Sequence, residues 1–245
     1  MSRNYPSIAF TQPVLSSQVE YGSRAALDRV SRHLHCPGSA DEQDTGPDPG
    51  PSARLRDPLG AEERHFILEQ DGFYLATVSE TGWPYVQFRG GAPGFVQSPD
   101  EHTVAWADFR GNRQYISTGN LHQDGRVALI FLDYARQLRL KVFGVATVTD
   151  VRGQAPYAGS LSVPGYRAIV EREVRVSVSA FDWNCPQHIT PRFTVEELEP
   201  VIEPVRRRVG ELESENERLR RLLAAAVRPA NGQSKLPPTP LEDMP

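Results

Sequence analysis

The segment DGFYLATVSETGWPYVQFRGG, residues 71–91, carries the strongest structural signal in the chain. Aromatic and β-branched residues fill Phe73–Val78 and again Trp83–Arg89, and glycine bounds both runs. A short turn around Glu80-Thr81-Gly82 separates them. The segment therefore predicts a β-hairpin.

Further strand-like runs follow this hairpin along the chain. Val127–Leu132 is continuously apolar, which predicts a strand buried on both faces, and Gln137–Thr149 is its expected antiparallel partner. Thr103–Trp106 and Arg172–Phe181 add two more strands. Six or so strands with short helices predict a mainly β fold, an antiparallel barrel or sandwich, and argue against a doubly wound parallel sheet.

The uneven composition divides the chain around this β region. Residues 35–60 are crowded with Pro, Gly, Asp and Ser, which cannot bury enough apolar surface to offset the entropy of ordering. The predicted organisation is an N-terminal segment with one short helix within Val19–Leu34 (1–34), a disordered linker (35–60), the β domain (61–195), a C-terminal helix (196–227) and a disordered tail (228–245).

The C-terminal helix has the apolar repeat of a coiled coil, with alternating steps of four and three. Asn216 falls at an a position, where a buried amide pair favours a parallel two-stranded register. The alternative is a single amphipathic helix packed on the barrel. A DNA-binding basic zipper is excluded, because Glu196–Glu203 contains no basic region. The predicted seam is Val205, Val209, Leu212, Asn216, Leu219, Leu223 and Ala226.

The composition excludes some classes of binding partner and indicates the cellular compartment. The formal charge of −4 gives no excess of positive charge for nucleic acid or an anionic membrane. The two cysteines, Cys36 and Cys185, lie far apart and indicate neither a disulfide framework nor a zinc site. We see no secretion signal and no run of about 18 apolar residues, so we expect a soluble, cytoplasmic protein.

The stretch AWADFRGNRQYISTGNL, residues 105–121, predicts a strand end, a glycine turn and a helix start. Asn112 is the expected N-cap of a short helix that runs to Leu121. Free amides at such a helix start, together with the Arg113 guanidinium, suit a phosphate. A capped surface helix with solvated arginines is the alternative.

Cationic and amide side chains recur at strand spacing on two strands. Arg139 shares a face with Lys141, and Gln87 shares a face with Arg89, because residues two apart in a strand point the same way. If these strands were neighbours, both pairs and Arg113 would converge on one anionic ligand. An ordinary polar outer face explains either pair equally well.

Four motifs in this order resemble the pyridoxamine 5'-phosphate oxidase-like flavin-binding proteins of the split β-barrel fold. They are TVSETGWPYVQFRGG, ADFRGNRQYISTGNL, RLRLKVFGVATV and DWNCPQHITPRF, within residues 62–193. The resemblance implies a homodimer that binds FMN in the groove between subunits. It also implies a flavin-dependent oxidoreductase that acts on a small molecule which the sequence does not identify.

The resemblance also implies a set of cofactor contacts. Arg113 takes the position of the arginine that holds the FMN phosphate, and Gln114 stands where the oxidase itself carries lysine. Gln87 takes a position that is often arginine in the family, which makes Arg89 a possible substitute. The implied cofactor-binding residues are Gln87, Arg89, Asp108, Asn112, Arg113, Gln114, Arg139 and Lys141, the last two near the flavin ring, and Trp183 and Arg192 in the last motif.

The reaction is less defined than the cofactor. The C-terminal arginine-histidine substrate signature of true pyridoxamine 5'-phosphate oxidases is missing, so vitamin B6 oxidation is not implied. Asp108, Tyr115 and His122 are candidates for a general acid or base, although each also fits a structural role. Cys185 and His188 lack a third metal ligand. A deazaflavin-dependent reductase and a non-catalytic flavin carrier or sensor are the alternative functions.

Overall fold

The computed structural model of this 245-residue chain describes residues 2–34, 56–153, 159–183 and 187–226. Residues 35–55 of the predicted linker, the predicted tail and Cys36 and Cys185 lie outside the described residues. Two compact units make up the chain, Met1–Arg192 and Phe193–Pro245.

The first unit is a seven-stranded antiparallel sheet with short helices, which confirms the mainly β prediction. The strands run in the order β2-β1-β5-β6-β7-β4-β3. They are β1 (Gly72–Val78), β2 (Pro84–Gly90), β3 (Val96–Asp100), β4 (Thr103–Phe109), β5 (Arg126–Asp133), β6 (Leu138–Asp150) and β7 (Val170–Trp183). The helices of this unit are α1 (Tyr5–Ala9), α2 (Gln12–Glu20), α3 (Arg24–Leu34), α4 (Ala61–Glu69) and α5 (Ile116–Gln123).

The sheet curls around one core. Phe73 on β1 and Trp106 on β4 are separated by three strands in the sheet order, yet their ring centroids lie 5.0 Å apart. Phe73 also contacts Phe131 and Phe95 at 5.1 and 6.0 Å, and all four rings are buried. A flat sheet could not bring these rings together. The curled sheet has a buried inner face and an outer face, as in a split barrel.

The predicted hairpin is confirmed, with β1 and β2 paired in register from Gly72 opposite Gly90 to Val78 opposite Pro84. Its turn contains Gly82 at φ +84°, a conformation that glycine adopts without strain. The antiparallel partnership of β5 and β6 is also confirmed. The expectation that β5 is buried on both faces is wrong in the single subunit, since Ala128, Ile130 and Leu132 are only half-buried.

The N-terminal segment contains three helices instead of one. The helix expected within Val19–Leu34 is interrupted after Glu20, where Gly22 takes φ +74° and ends α2. The segment predicted as linker is also partly structured: the backbone N–H groups of Asp57 and Leu59 donate to the carbonyls of Ser179 and Glu101. Both side chains are buried, so residues 56–60 belong to the sheet domain.

The second unit contains one long helix, α6 (Val195–Ala226). Pro200 and Pro204 both lie inside it. Within the described part of the helix no residue is buried. Across the described residues, no helix is both long and apolar enough to cross a bilayer.

Candidate functional site

A buried ion-pair cluster lies where β2 meets β4 across the split of the sheet. Asp108 on β4 is 3% exposed and accepts hydrogen bonds from Arg89 Nη1 at 2.7 Å and Arg172 Nε at 2.8 Å. Arg89 comes from one sheet edge and Arg172 from β7. Buried charges are tolerated when they are paired, so Asp108 has a structural role in this cluster.

A second buried carboxylate, Glu171, holds both ends of the segment RGNRQY, residues 110–115, which we call the anion loop. Arg110 Nε donates to Glu171 Oε1 at 2.8 Å, and Tyr115 Oη donates to Oε2 at 3.1 Å. Arg172 Nη1 also donates to Oε2 at 3.1 Å and lies over the Tyr115 ring. Because Glu171 is only 2% exposed, it holds the loop from the buried side.

The ionisation of these groups follows from their contacts. The hydrogen bond from Arg110, followed by those from Tyr115 and Arg172, outweighs burial and lowers the pKa of Glu171. For Arg172, burial is the largest single influence and lowers the pKa, but Asp108 and Glu171 together reverse it and raise the pKa. Both groups are therefore charged at neutral pH.

The anion loop departs from the predicted capped helix. Helix α5 begins at Ile116, its N-cap is Tyr115, and Asn112 Oδ1 instead accepts a hydrogen bond from the Gln114 backbone N–H at 3.1 Å. The prediction of Asn112 as N-cap is wrong because Arg113 and Tyr115 take left-handed conformations, with φ of 64° and 54°. Such conformations are uncommon outside glycine and are concentrated at functional sites.

Arg113 differs from the other arginines of this region. It is exposed, and within the described part of the chain its guanidinium has no ion-pair or hydrogen-bond partner. Arg89, Arg110 and Arg172 are all paired with Asp108 or Glu171. The one cation that the anion loop leaves without a partner is thus the one that sequence analysis assigned to a phosphate.

The two strand pairs do not converge within one subunit. Strands β1 and β5 separate β2 from β6. Gln87 and Arg89 lie on the inner face, opposite the buried Leu75 and Phe73, whereas Lys141 lies opposite Ile130 on the outer face. The condition for their convergence, that the two strands are neighbours, is therefore not met within the chain. Gln87 is instead next to the start of α5, where its Oε1 accepts a 2.9 Å hydrogen bond from Ser117 Oγ.

Lys141 is engaged by the N-terminal segment. Its Nζ donates to Tyr5 Oη at 2.7 Å and lies 3.3 Å from Asp182 Oδ2. Tyr5 is buried and its ring contacts Phe143, with 5.5 Å between centroids. Ser2 secures the same segment: its backbone N–H donates to the Phe181 carbonyl. Arg139, the other residue of the predicted pair, is half-buried on the same strand.

The last predicted contacts have structural partners in the subunit. Trp183 Nε1 donates to Glu63 Oε1 at 2.7 Å, and its ring packs edge-on against Phe66. Arg192 lies 4.8 Å from the centre of the Tyr134 ring. His188 is exposed, and the described residues include no cluster of three metal-ligating side chains. The partners of Trp183 and Arg192 in these contacts all lie outside the anion loop.

Sequence reasoning missed Arg110, Glu171 and Arg172, and with them the support of the anion loop. The only signal was the acidic and basic run Glu171-Arg172-Glu173 at the start of a strand that otherwise alternates. It also missed Tyr5, because the only helix predicted in the N-terminal segment lay within Val19–Leu34. Long-range contacts such as these leave no periodic pattern in the sequence.

Comparison with family models matches residues 59–175 to the pyridoxamine 5'-phosphate oxidase model. Comparison with curated proteins gave no match. Several solved structures are similar to this chain at low identity. HupZ of Group A Streptococcus is 18% identical, with a TM-score of 0.41, and the match covers 55% of this chain and 99% of HupZ.

Two further structures carry flavin-related names. An FMN-binding protein from Syntrophomonas wolfei subsp. wolfei is 11% identical, with a TM-score of 0.36 over 51% of this chain and 85% of that protein. A structure described as an F420 reductase is 20% identical, with a TM-score of 0.32 over 47% of this chain and 93% of that protein. Residues 59–175 of this chain thus match the pyridoxamine 5'-phosphate oxidase family model, and the curled antiparallel sheet that contains most of them has the form of a split β-barrel.

Proposed function

We propose that this protein binds FMN and acts as a cytoplasmic, flavin-dependent oxidoreductase on a small molecule. The family match supports flavin binding as the general function. The specific proposal depends on the anion loop, where an exposed Arg113 has no partner among the described residues. A guanidinium in this state can form two parallel hydrogen bonds to a phosphate without first breaking an ion pair.

The loop also offers the neutral donors that a phosphate monoester needs. Asn112 uses its Oδ1 within the loop, which leaves its amide nitrogen for a ligand. Gln87 likewise uses Oε1 to bind Ser117, and its amide nitrogen lies next to the start of α5. With the Gln114 side chain, these groups give one cation and several amides. This donor set fits the phosphate end of FMN.

The ring end of the cofactor requires residues from a second subunit. Arg139 and Lys141 lie on the opposite face of the sheet from Gln87, so they cannot join Arg113 within one chain. Across a two-fold interface, the outer face of one subunit can meet the anion loop of the other. In such a dimer, positive groups near the ring would stabilise reduced, anionic flavin, whose redox chemistry remains its own.

The outer face of the sheet supports this homodimer. Its exposed apolar residues include Val86 and Phe88, which are 60% and 57% exposed in the single subunit. Tyr74 lies opposite Phe88 on the neighbouring strand and continues the patch towards Ile130. Contiguous exposed apolar surface of this kind marks an interaction site. A second copy would also bury the half-exposed face of β5.

Replacing Phe88 with Glu tests the homodimer. The test uses a background in which Leu212→Glu and Leu219→Glu disrupt the predicted coiled-coil seam of α6, so that association reports on the sheet alone. The charge at position 88 would be buried at the centre of the proposed interface, so sedimentation equilibrium is expected to show at least a tenfold weaker dimer. Val19→Glu, a change at an exposed apolar residue of α2, is the matched control and is expected to leave association unchanged. An unchanged association of Phe88→Glu would place the interface elsewhere.

The experiment that tests the cofactor is an absorption spectrum of the freshly purified protein, with mass analysis of whatever heat releases. We expect FMN at about one per chain, as a single phosphate site on each chain requires. Replacing Arg113 with Ala is expected to weaken FMN retention at least tenfold, because a charge-assisted hydrogen bond contributes roughly 1.5 to 3 kcal/mol. Arg207→Ala on α6 is the control.

Other outcomes favour the alternative functions. A released deazaflavin in place of FMN would indicate a deazaflavin-dependent reductase on the same fold. Bound FMN that neither nicotinamide cofactors nor oxygen can turn over would indicate a carrier or sensor. If Arg113→Ala retained flavin as well as the parent protein does, the anion loop would not be the phosphate-binding site.

A further inference from the structure

Helix α6 has an apolar seam that continues over its whole length. Residues at alternating steps of three and four begin at Val195 and end at Ala226, and the helix of 32 residues is about 48 Å long. The a positions are Val195, Ile202, Val209, Asn216 and Leu223, and the d positions are Leu198, Val205, Leu212, Leu219 and Ala226. Pro200 and Pro204 fall at f and c, outside the seam.

The structure leaves most of this seam uncovered. Val209, Leu212 and Leu219 are 47%, 52% and 52% exposed, and no described residue of the helix is buried. A helix with an exposed apolar stripe of this length gains its stability by burying the stripe against another element. The identity of that element follows from the residues at the seam and beside it.

The seam residues favour two parallel strands. Valine or isoleucine occupies three of the five a positions and leucine three of the five d positions, the arrangement that favours parallel dimers. Asn216 at an a position pairs with its own copy only when two identical helices are parallel and in register. Its amide would be buried without a partner in any other register, which is costly.

The charges beside the seam select a second copy of this chain. In a parallel, in-register pair, each g residue faces the e residue five positions further along the other helix. Arg208 would then face Glu213, and Glu215 would face Arg220, each pair occurring twice. An antiparallel pair centred on the same seam would instead place Glu213 against its own copy and Glu215 against its own copy.

The present partners of two of these residues are easily exchanged. Arg208 pairs with Glu211 at 2.9 Å and Glu215 with Arg218 at 2.8 Å, both within the helix and exposed. Exposed pairs of this kind contribute little to stability. We propose that α6 forms a parallel, in-register, two-stranded coiled coil with the α6 helix of a second copy of this chain.

Disulfide trapping in the full chain tests this pairing. In a background with Cys36→Ser and Cys185→Ser, Leu219→Cys places a thiol at a d position, where two parallel helices bring identical residues together. Mild oxidation is expected to give a covalent dimer on a denaturing gel. Arg221→Cys, at an outward f position, is the control and is expected to crosslink at least fivefold less, since f positions face away from the partner.

Charge substitutions in the same background test the register. Arg208→Glu would place like charges opposite each other, and we expect the Leu219→Cys crosslink to fall roughly threefold or more. Adding Glu213→Arg restores opposite charges and is expected to restore the crosslink, whereas Arg207→Glu at an f position is expected to have no effect. Equal crosslinking of Leu219→Cys and Arg221→Cys, or no response to the Arg208 and Glu213 changes, would overturn the proposal.

Discussion

The anion loop and the outer face of β6 both have cationic side chains that sequence analysis assigned to one ligand, but their surroundings differ. At the loop and the strands beside it, buried carboxylates pair with Arg89, Arg110 and Arg172, whereas Arg113 is exposed and has no partner among the described residues. On β6, Lys141 already contacts Tyr5 and Asp182. Two cations that were predicted to bind the same ligand therefore differ: Arg113 is available for a ligand, whereas Lys141 already has protein partners.

The difference between Arg113 and Lys141 shows what leaves a cationic side chain available to bind a ligand. Arg113 remains without a partner because Glu171 is fully used by residues on both sides of it in the loop. Lys141 lies on the outer face of the sheet, where the N-terminal segment covers it through Tyr5. Availability for a ligand therefore depends on how the nearby charges are already paired, in addition to residue type.

Of the substitutions that test the difference between Arg113 and Lys141, replacing Glu171 with Gln is expected to have the largest effect. The variant loses charge-assisted hydrogen bonds to Arg110 and Arg172 in a buried site, which should lower the free energy of unfolding by roughly 1.5 to 3 kcal/mol. Denaturant unfolding measures this loss. It should also release the anion loop and weaken flavin retention.

The Glu171 effect has a defined dependence on pH. The pKa of Glu171 lies below its ordinary value of 4.5, so its contribution to stability is complete above pH 4.5 and is lost as the pH falls through the lowered pKa. The difference between parent and Glu171→Gln should therefore be largest at neutral pH and should shrink in acid.

Glu69→Gln is the matched control, because Glu69 pairs with Arg136 at the surface. Its expected effect is about 0 to 1 kcal/mol. If the two variants were equally stable, or if their difference did not shrink in acid, Glu171 would not support the loop as described.

Replacing Lys141 with Met is expected to have the smallest effect on cofactor retention. Because Lys141 already has protein partners, we expect flavin retention to change less than about threefold, against at least tenfold for Arg113→Ala. Limited proteolysis should instead show faster cleavage near Tyr5. If Lys141→Met lost as much flavin as Arg113→Ala, and Lys141→Arg retained it, the result would show that Lys141 exchanges its contact with Tyr5 for a contact with the ligand.

The fold was predictable from sequence to a greater extent than the site. Hairpins and strand pairs such as β5 and β6 follow from local periodicity, which the sequence contains directly. The left-handed backbone at Arg113 and Tyr115 does not, because it depends on Glu171, which is 56 residues from Tyr115 in sequence. The hydrogen bond from Lys141 to Tyr5 joins residues 136 positions apart, so no local sequence pattern predicts it.

The clamp by Glu171 has a consequence for protein engineering. One carboxylate fixes Arg110 and Tyr115, while the side chain of Asn112 bonds only within the loop. The three central residues, Asn112 to Gln114, can therefore be exchanged as a cassette without altering the anchors. Libraries restricted to these positions offer a way to change the preferred ligand while the scaffold remains intact.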